Sequence, residues 1–226
     1  MVHIFYGGLK GAQIPVYLVA FVLAALIAII LHEIAHAWAA YKSGDPSAKI
    51  AGRLSLNPAK HLDPMGTLCI VVTGMFGWAK PVPVNPFNYR NFRKGNFFVS
   101  IAGVTVNLIL AFLFSLFYFL VIEYAFPTSS IWLWGLAQFF ALMVVINIAL
   151  FIFNLLPVYP LDGYNLLVSF TKPTNRYMNF MRRNSSYMLP VILIILIVPL
   201  IGGQSLLGFA RNGIIDGFIW FWGLMF

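Results

Sequence analysis

The amino-acid sequence predicts an all-α polytopic membrane protein from its composition, its long apolar runs and the grouping of its basic residues. Hydrophobic residues make up 61% of the 226 positions and charged residues only 9%, whereas about a quarter of a soluble globular protein is charged. The net charge of +8 does not indicate nucleic-acid binding, because the basic residues form short clusters between apolar runs. Such clusters favour the lipid bilayer surface as the partner.

Three apolar stretches are each long enough to cross a bilayer, for which about 20 helical residues suffice. They cover residues 14–41, 96–121 and 131–156, and they predict a three-helix core, residues 14–165, within a single membrane domain. Another apolar segment begins at residue 188, so we expect one or more further helices in the C-terminal extension.

A shorter apolar stretch, residues 64–78, is interrupted by glycines and has basic loops at both ends. If it crossed the membrane, these loops would lie on opposite sides, so we interpret it as a re-entrant or interfacial segment. Prolines alternate in residues 79–86, which excludes a helix or a central strand but permits an edge strand. The sequence thus predicts a short re-entrant or β-edge segment near residues 64–86.

The basic residues also predict the orientation of the chain. Twelve of the 14 lysines and arginines lie in residues 42–63, 79–96 and 159–187, and loops rich in these residues face the cytoplasm. The first span therefore ends at the cytoplasmic side. Since a helix rises about 1.5 Å per residue, we expect the last turns of this span to lie within about 10 Å of that surface.

Two histidines and a glutamate interrupt the apolar character of the first span. In the motif HEIAH, His32 and His36 share one helix face, so both imidazoles can bind a single zinc ion. Glu33 can then act on a water molecule at that metal. The alternative is that both histidines are hydrogen-bonded core residues. An ionisable side chain at bilayer depth costs roughly 2.5 kcal/mol or more, which favours the functional interpretation.

A hydrolytic zinc site usually has three protein ligands, so HEIAH needs one more. Among the six acidic residues of the chain, Glu123 follows the second span on the opposite side. Helix capping or turn formation explains Asp45 and Asp63. Asp162 follows the third span, which returns to the side of the histidines, and it is the favoured third ligand. The alternative is that Asp162 and the glycine after it only form a turn.

Five motifs make the sequence similar to one known family. They are HEIAH, NLLPVYPLDG at residues 154–163, GRLSLNPAKHLDPMGT at 52–67, GWAKPVPVNP at 77–86 and AGVTVN at 102–107. Together they resemble the site-2 protease family of intramembrane zinc metalloproteases, in particular its compact prokaryotic members without a PDZ or CBS domain. The resemblance extends over about residues 30–165.

The resemblance implies a metalloprotease that hydrolyses peptide bonds within or near transmembrane segments of membrane-protein substrates. One zinc ion per chain would be held by His32, His36 and Asp162, with Glu33 as the catalytic acid and base. We expect the protein to be a multi-pass protein of the cell inner or plasma membrane. Its active site would lie near the cytoplasmic side.

Two asparagines receive catalytic roles by the same resemblance. Asn154 matches a family asparagine that stabilises the reacting centre, and Asn107 matches a polar position on the middle core span. Both could instead form hydrogen bonds between helices. The middle-span motif departs from the family at Val104, where the family commonly has proline.

Two other functions remain open at this point. A cation transporter or channel would use the buried histidine, glutamate and aspartate side chains as a binding site in transit, and a membrane scaffold would use zinc only for stability. The protease has a further requirement, because a transmembrane substrate arrives as a helix and must be unwound before attack. We hypothesise that the edge of residues 77–86 pairs with the unwound substrate by strand addition.

Overall fold

The computed structural model describes residues 11–66, 68, 80–125, 130–172, 174–188 and 206–226. Its helices are α1 (Gln13–Ser43), α2 (Ser47–Ile50), α3 (Phe92–Ala125), α4 (Ile131–Leu155), α5 (Asp162–Phe170), α6 (Arg176–Arg183) and α7 (Leu206–Met225). Two 3-10 turns lie at Pro58–Lys60 and Pro86–Asn88. The described part contains no strand, which confirms the predicted all-α class.

The helices α1, α3 and α4 are long and apolar enough to cross a membrane. They correspond to the three predicted spans, and the protein is therefore an integral membrane protein. The C-terminal residues left undecided by the sequence form α7. The apolar segment predicted after residue 188 falls mostly on residues 189–205, which lie outside the described residues.

The predicted re-entrant segment is described only at its ends. Residues 67 and 69–79, which include Cys69, lie outside the described part. Residues 64–66 are helical, with the carboxylate of Asp63 accepting a hydrogen bond from the Gly66 N–H at 2.9 Å. Residues 80–85 form neither helix nor strand.

The limits of the three long helices follow from local chemistry. At the end of α1, Gly44 adopts a left-handed conformation with φ of 113°, and its N–H caps the last turn. The side chain of Asn91 accepts a hydrogen bond from Lys94 N–H at the start of α3. Pro157 follows the end of α4, as expected for a residue that breaks a helix.

Small residues allow the three long helices to pack closely. Ala20 and Ala24 of α1 are buried against Leu142 and Met143 of α4. Close approach of this kind is the usual basis of helix association in a membrane, where lipid is as apolar as the packed side chains. The helices α1, α3 and α4 pack against one another in all three pairs.

The C-terminal helix α7 lies against α3 and α4. Its Ile215 is buried with Ala111 and Ile148, and the indole N–H of Trp222 donates to Ser115 Oγ at 2.8 Å. This hydrogen bond satisfies two polar groups that cannot bond to water inside the bilayer. The helix α7 therefore extends the core on the side away from α1, with which it has no packing of comparable extent among the described residues.

Candidate metal centre

The side chains of His32, His36 and Asp162 converge at one point of the core. The Nε2 atoms of the two histidines are 3.0 Å apart, and Asp162 Oδ2 lies 3.4 Å from Nε2 of His32 and 3.1 Å from Nε2 of His36. Both histidines are buried. Among the described residues, these three side chains form a group whose donor atoms are close enough together to bind one metal ion.

The Nδ1 atoms of both histidines face oxygen atoms on α3. Nδ1 of His36 lies 2.7 Å from the backbone oxygen of Val99, and Nδ1 of His32 lies 2.5 Å from Oδ1 of Asn107. Since a carbonyl oxygen can only accept, each Nδ1 carries the proton and donates it. Each Nε2 therefore presents a lone pair to the centre.

The donor set fits a zinc ion. Two lone pairs 3.0 Å apart and a carboxylate oxygen repel one another unless a cation lies between them. Asp162 Oδ2 is buried without a hydrogen-bond partner in the described structure, although a buried carboxylate oxygen normally has one. Two imidazoles and one carboxylate form an established ligand set of catalytic zinc.

Gly103 of α3 lies directly against the two histidine rings. A Cβ atom at this position would come within 2.4 Å of Nε2 of His36 and 2.5 Å of Cε1 of His32. The missing side chain thus allows α3 to approach the metal centre closely enough for Val99 and Asn107 to reach the imidazoles. Val104, which replaces the family proline, lies within the continuous helix α3.

Asp162 is placed by the short turn that connects α4 to α5. The turn is closed by backbone hydrogen bonds from Val158 to Leu156 and from Leu161 to Val158, both of 2.8 Å. A Cβ atom on Gly163 would come within 2.2 Å of the Leu155 oxygen. Close packing against the end of α4 therefore requires this glycine, whereas the sequence suggested a turn conformation as the reason.

Glu33 directly follows His32 on α1. It contacts residues 80–91, the proline-rich connection that precedes α3. Its Oε2 accepts a hydrogen bond from the Val82 backbone N–H at 3.2 Å. The proline-rich connection is therefore adjacent to the predicted catalytic carboxylate, although Val82 and Glu33 are 49 positions apart in the sequence.

Asn107 belongs to a chain of buried amides. Its Nδ2 donates to Oδ1 of Asn147 on α4 at 2.9 Å, and Nδ2 of Asn147 donates to the Met143 oxygen at 2.8 Å. Both asparagines are fully buried. These bonds fix the Asn107 amide so that its oxygen faces His32. Such a partner holds the orientation and the tautomer of a histidine that binds metal.

Among the described residues, no hydrogen bond links the candidate Asn154 or the buried loop residues His61 and Asp45 to this cluster. Asn154 is partly buried on α4 and has no side-chain hydrogen bond among the described residues, so its catalytic role stays a prediction. His61 is buried in the loop, where its Nε2 lies 2.7 Å from the Ser55 oxygen. Asp45 is buried as well, and it binds residues of the proline-rich connection rather than the metal centre.

Three residues of the site, Val99, Gly103 and Asn147, were not predicted from the sequence. Val99 acts through its backbone oxygen, for which side-chain patterns give no signal. Asn147 did have a signal, because a polar side chain inside an apolar span usually has a specific partner. Gly103 lay within a recognised motif, but its contact with the histidines depends on how the helices pack.

Comparison with known proteins also indicates a zinc metalloprotease. The model of peptidase family M50 matches residues 120–198, which contain Asp162 but not HEIAH. The chain is 44% identical over 179 residues to YwhC of Bacillus subtilis (strain 168), whose name classes it with the zinc metalloproteases, and the match covers 79% of this chain and 80% of that protein.

Two mycobacterial relatives carry the name Rip2 and the same class name. The protein from Mycolicibacterium smegmatis is 28% identical over 75% of this chain and 64% of its own length. The protein from Mycobacterium tuberculosis (strain H37Rv) is 29% identical over 79% of this chain and 66% of its own length. No solved structure matches the chain significantly.

The fold and the site define a membrane-embedded hydrolase with a zinc centre at the ends of its core helices. The chain belongs to peptidase family M50, the site-2 protease family, and is a zinc metalloprotease.

Proposed function

We propose that this metalloprotease hydrolyses peptide bonds within or near the transmembrane segments of membrane-protein substrates. The observation that carries the proposal is the position of the zinc centre. Its ligands come from a membrane-spanning helix and from the turn after another, so a substrate must reach it at the membrane. The Nδ1 contacts of both histidines come from a third spanning helix.

The residues divide the chemistry among them. His32, His36 and Asp162 would hold the zinc ion, which would supply Lewis acidity to polarise a carbonyl group and to acidify water. Glu33 accepts the proton of the attacking water and later gives it to the leaving amine. Asn154 is the candidate donor to the developing oxyanion.

Asn107 is proposed as a positioning residue. Its oxygen holds His32 and its nitrogen is engaged with Asn147, so both ends of the amide are committed to the protein. The second N–H of the amide has no hydrogen-bond partner among the described residues, so the positioning role rests on the contact with His32.

Substitution of Glu33 by glutamine tests the proposal. Glutamine keeps the size of the side chain but cannot accept the proton, so we expect zinc content to stay at one ion per chain. We expect cleavage of a model single-span substrate to fall at least a hundredfold. Wild-type cleavage by E33Q would overturn the mechanism. If the wild-type protein transported cations but did not cleave the substrate, and E33Q transported them equally well, the transporter would be favoured.

The contact between Val82 and Glu33 supports strand addition at the proline-rich connection. Pro81 and Pro83 have no N–H, so Val82 and Val84 supply the backbone donors of this stretch. Because the Val82 N–H donates to Glu33 in this structure, we propose that an unwound substrate pairs with the Val84 N–H and replaces Glu33 as the acceptor of the Val82 N–H.

Replacement of Val82 and Val84 by proline removes both donors. We expect this double variant to lose cleavage and to keep its zinc, measured on the same purified sample. The control is Leu56→Pro, at an exposed loop position whose N–H donates no hydrogen bond among the described residues, and it should cleave normally. Normal cleavage by the Val82 and Val84 variant would remove the strand-addition hypothesis.

A further inference from the structure

The helix α6 carries a positively charged face that the proteolytic mechanism does not use. Five residues, Arg176, Asn179, Phe180, Arg183 and Asn184, line an open surface groove of about 540 Å³. They are spaced three, one, three and one positions apart, so they share one face of the helix. The two arginines lie at opposite ends of that face, and Phe180 between them is 56% exposed.

The opposite face of α6 is fixed to the protein. Met178 and Met181 are buried in a cluster with Tyr164 of α5, and the hydroxyl of Tyr177 donates to the Pro157 oxygen at 2.5 Å. The groove is therefore presented outward by a helix that is held in place. Such a surface differs from a charged tail, which would attract anions without a defined geometry.

The arginines of the groove have no acidic partner among the residues that the structure describes. No aspartate or glutamate occurs in residues 163–215, and Asp162 faces the two histidines. Neither Arg176 nor Arg183 forms an ion pair with a residue that the structure describes. Their charge is thus available to an anion from outside the chain.

The composition of the connection that carries α6 indicates which anion this is. Phe170 and Tyr187 are 67% and 70% exposed, and they occupy the same connection between spans as Phe180. Exposed aromatic side chains in a basic connection are typical of the membrane–water interface. A guanidinium group binds phosphate oxygens in bidentate fashion. The Asn179 amide nitrogen adds a donor for the rest of a headgroup, whereas that of Asn184 donates to the Phe180 oxygen.

We propose that the outward face of α6 is a binding site for the phosphate headgroup of an anionic phospholipid. The site rests on the orientation proposed for the chain, in which residues 159–187 face the leaflet rich in anionic lipid. It does not depend on the peptidase activity.

The test compares two double variants that remove the same charge. R176Q/R183Q alters the groove, and R93Q/K94Q removes two exposed cations at the start of α3, on the same side of the membrane. Each purified protein is exposed to equal amounts of phosphatidylglycerol and phosphatidylcholine in micelles, and the retained lipid is counted by native mass spectrometry. Melting in phosphatidylcholine nanodiscs verifies that each variant is folded, and R183Q alone replaces the double variant if that one does not fold.

We expect wild type and R93Q/K94Q to retain phosphatidylglycerol preferentially, and R176Q/R183Q to lose roughly tenfold or more of this preference. An unchanged preference in R176Q/R183Q would overturn the proposal. Equal losses in both variants would also overturn it, because they would show diffuse attraction rather than a site. Displacement of the lipid by millimolar glycerol phosphate would assign the groove to a soluble anion instead.

Discussion

The two zinc-binding histidines are oriented by different kinds of acceptor. His36 donates to a backbone oxygen, which no substitution of Val99 removes, whereas His32 depends on the side chain of Asn107. Asn107 depends in turn on Asn147. The metal centre is therefore more sensitive to mutation on the His32 side, and the sensitivity extends to a residue on α4 that touches neither histidine nor zinc.

Substitution of Asn147 by leucine should lower zinc affinity by about tenfold. This is the lower end of the ten- to hundredfold cost of removing a ligand's own hydrogen-bond partner, because Asn147 acts on His32 only through Asn107. The measurement is competition with a chromogenic zinc chelator on the purified protein. Gln138→Leu is the matched control, since Gln138 is also a buried polar residue of α4. Unchanged affinity in the Asn147 variant would show that Asn107 alone orients His32.

At the scale of secondary structure, Asp45 fixes the proline-rich connection to the end of α1. Its carboxylate is fully buried and accepts from the Asn85 N–H at 2.7 Å and from the Asn88 amide at 2.8 Å. It also accepts from the N–H and the hydroxyl of Ser47. The same connection contacts Glu33, so Asp45 helps to place the proposed substrate-binding edge.

Burial raises the pKa of Asp45, but the hydrogen bonds from Ser47, Asn85 and Asn88 outweigh burial and hold it below its usual value. A lowered pKa means that the charged form stabilises the fold above the unfolded pKa, and that this stabilisation is lost as pH falls through the folded pKa. Asp45→Asn should cost about 1 to 3 kcal/mol.

The expected readout is a melting temperature below that of wild type, by an amount that stays constant from about pH 5 to 8. The difference should shrink only below about pH 4. Asp216→Asn, at an exposed position of α7, controls for the loss of one negative charge and should melt like wild type. A difference that shrinks already near pH 6 would contradict the assignment to Asp45.

The helix limits show what hydropathy can and cannot predict. The three core spans were predicted in the correct places, because apolar length is a direct requirement of the bilayer. The predicted start of α3 at Asn96 was four residues late, since the helix begins at Phe92. Hydropathy reports where the apolar surface begins, whereas the cap at Asn91 decides where the helical hydrogen bonds begin.

The sequence predicted the ligands of the metal centre but not their hydrogen-bond partners. His32, His36 and Asp162 were indicated by side-chain type and by the direction of the spans, and the structure brings them together. Their hydrogen-bond partners on α3 were not, because the rotation of one helix against another is set by packing along their whole length. For Asp45 the sequence suggested only a cap, and its contacts with residues 40 and more positions away depend on tertiary structure.

At the scale of the whole molecule, α1 and α4 run in one direction and α3 in the other. The end of α1, the start of α3 and the turn after α4 thus lie on one side of the membrane, where their side chains form the zinc centre. The basic loops are attached to these same ends. The positive-inside rule therefore predicts that the zinc centre lies nearer the cytoplasm.

Single cysteines in a protein with Cys69 replaced by serine test this orientation. Ile50→Cys lies on the side of the basic loops and Tyr124→Cys at the far end of α3, and both native side chains are well exposed. A membrane-impermeant maleimide should label Tyr124→Cys in intact cells and Ile50→Cys only after permeabilisation. Labelling of Ile50→Cys in intact cells would reverse the orientation.

The contact of Gly103 with the imidazoles also determines what can inhibit the enzyme. Helix backbone covers that flank of the histidines with no gap for another atom, so a zinc-chelating drug has to approach from the opposite flank. Compounds with bulk on both sides of their chelating group would be excluded. A selective inhibitor should therefore be flat on the side that meets α3, with its variable groups directed towards the proline-rich connection.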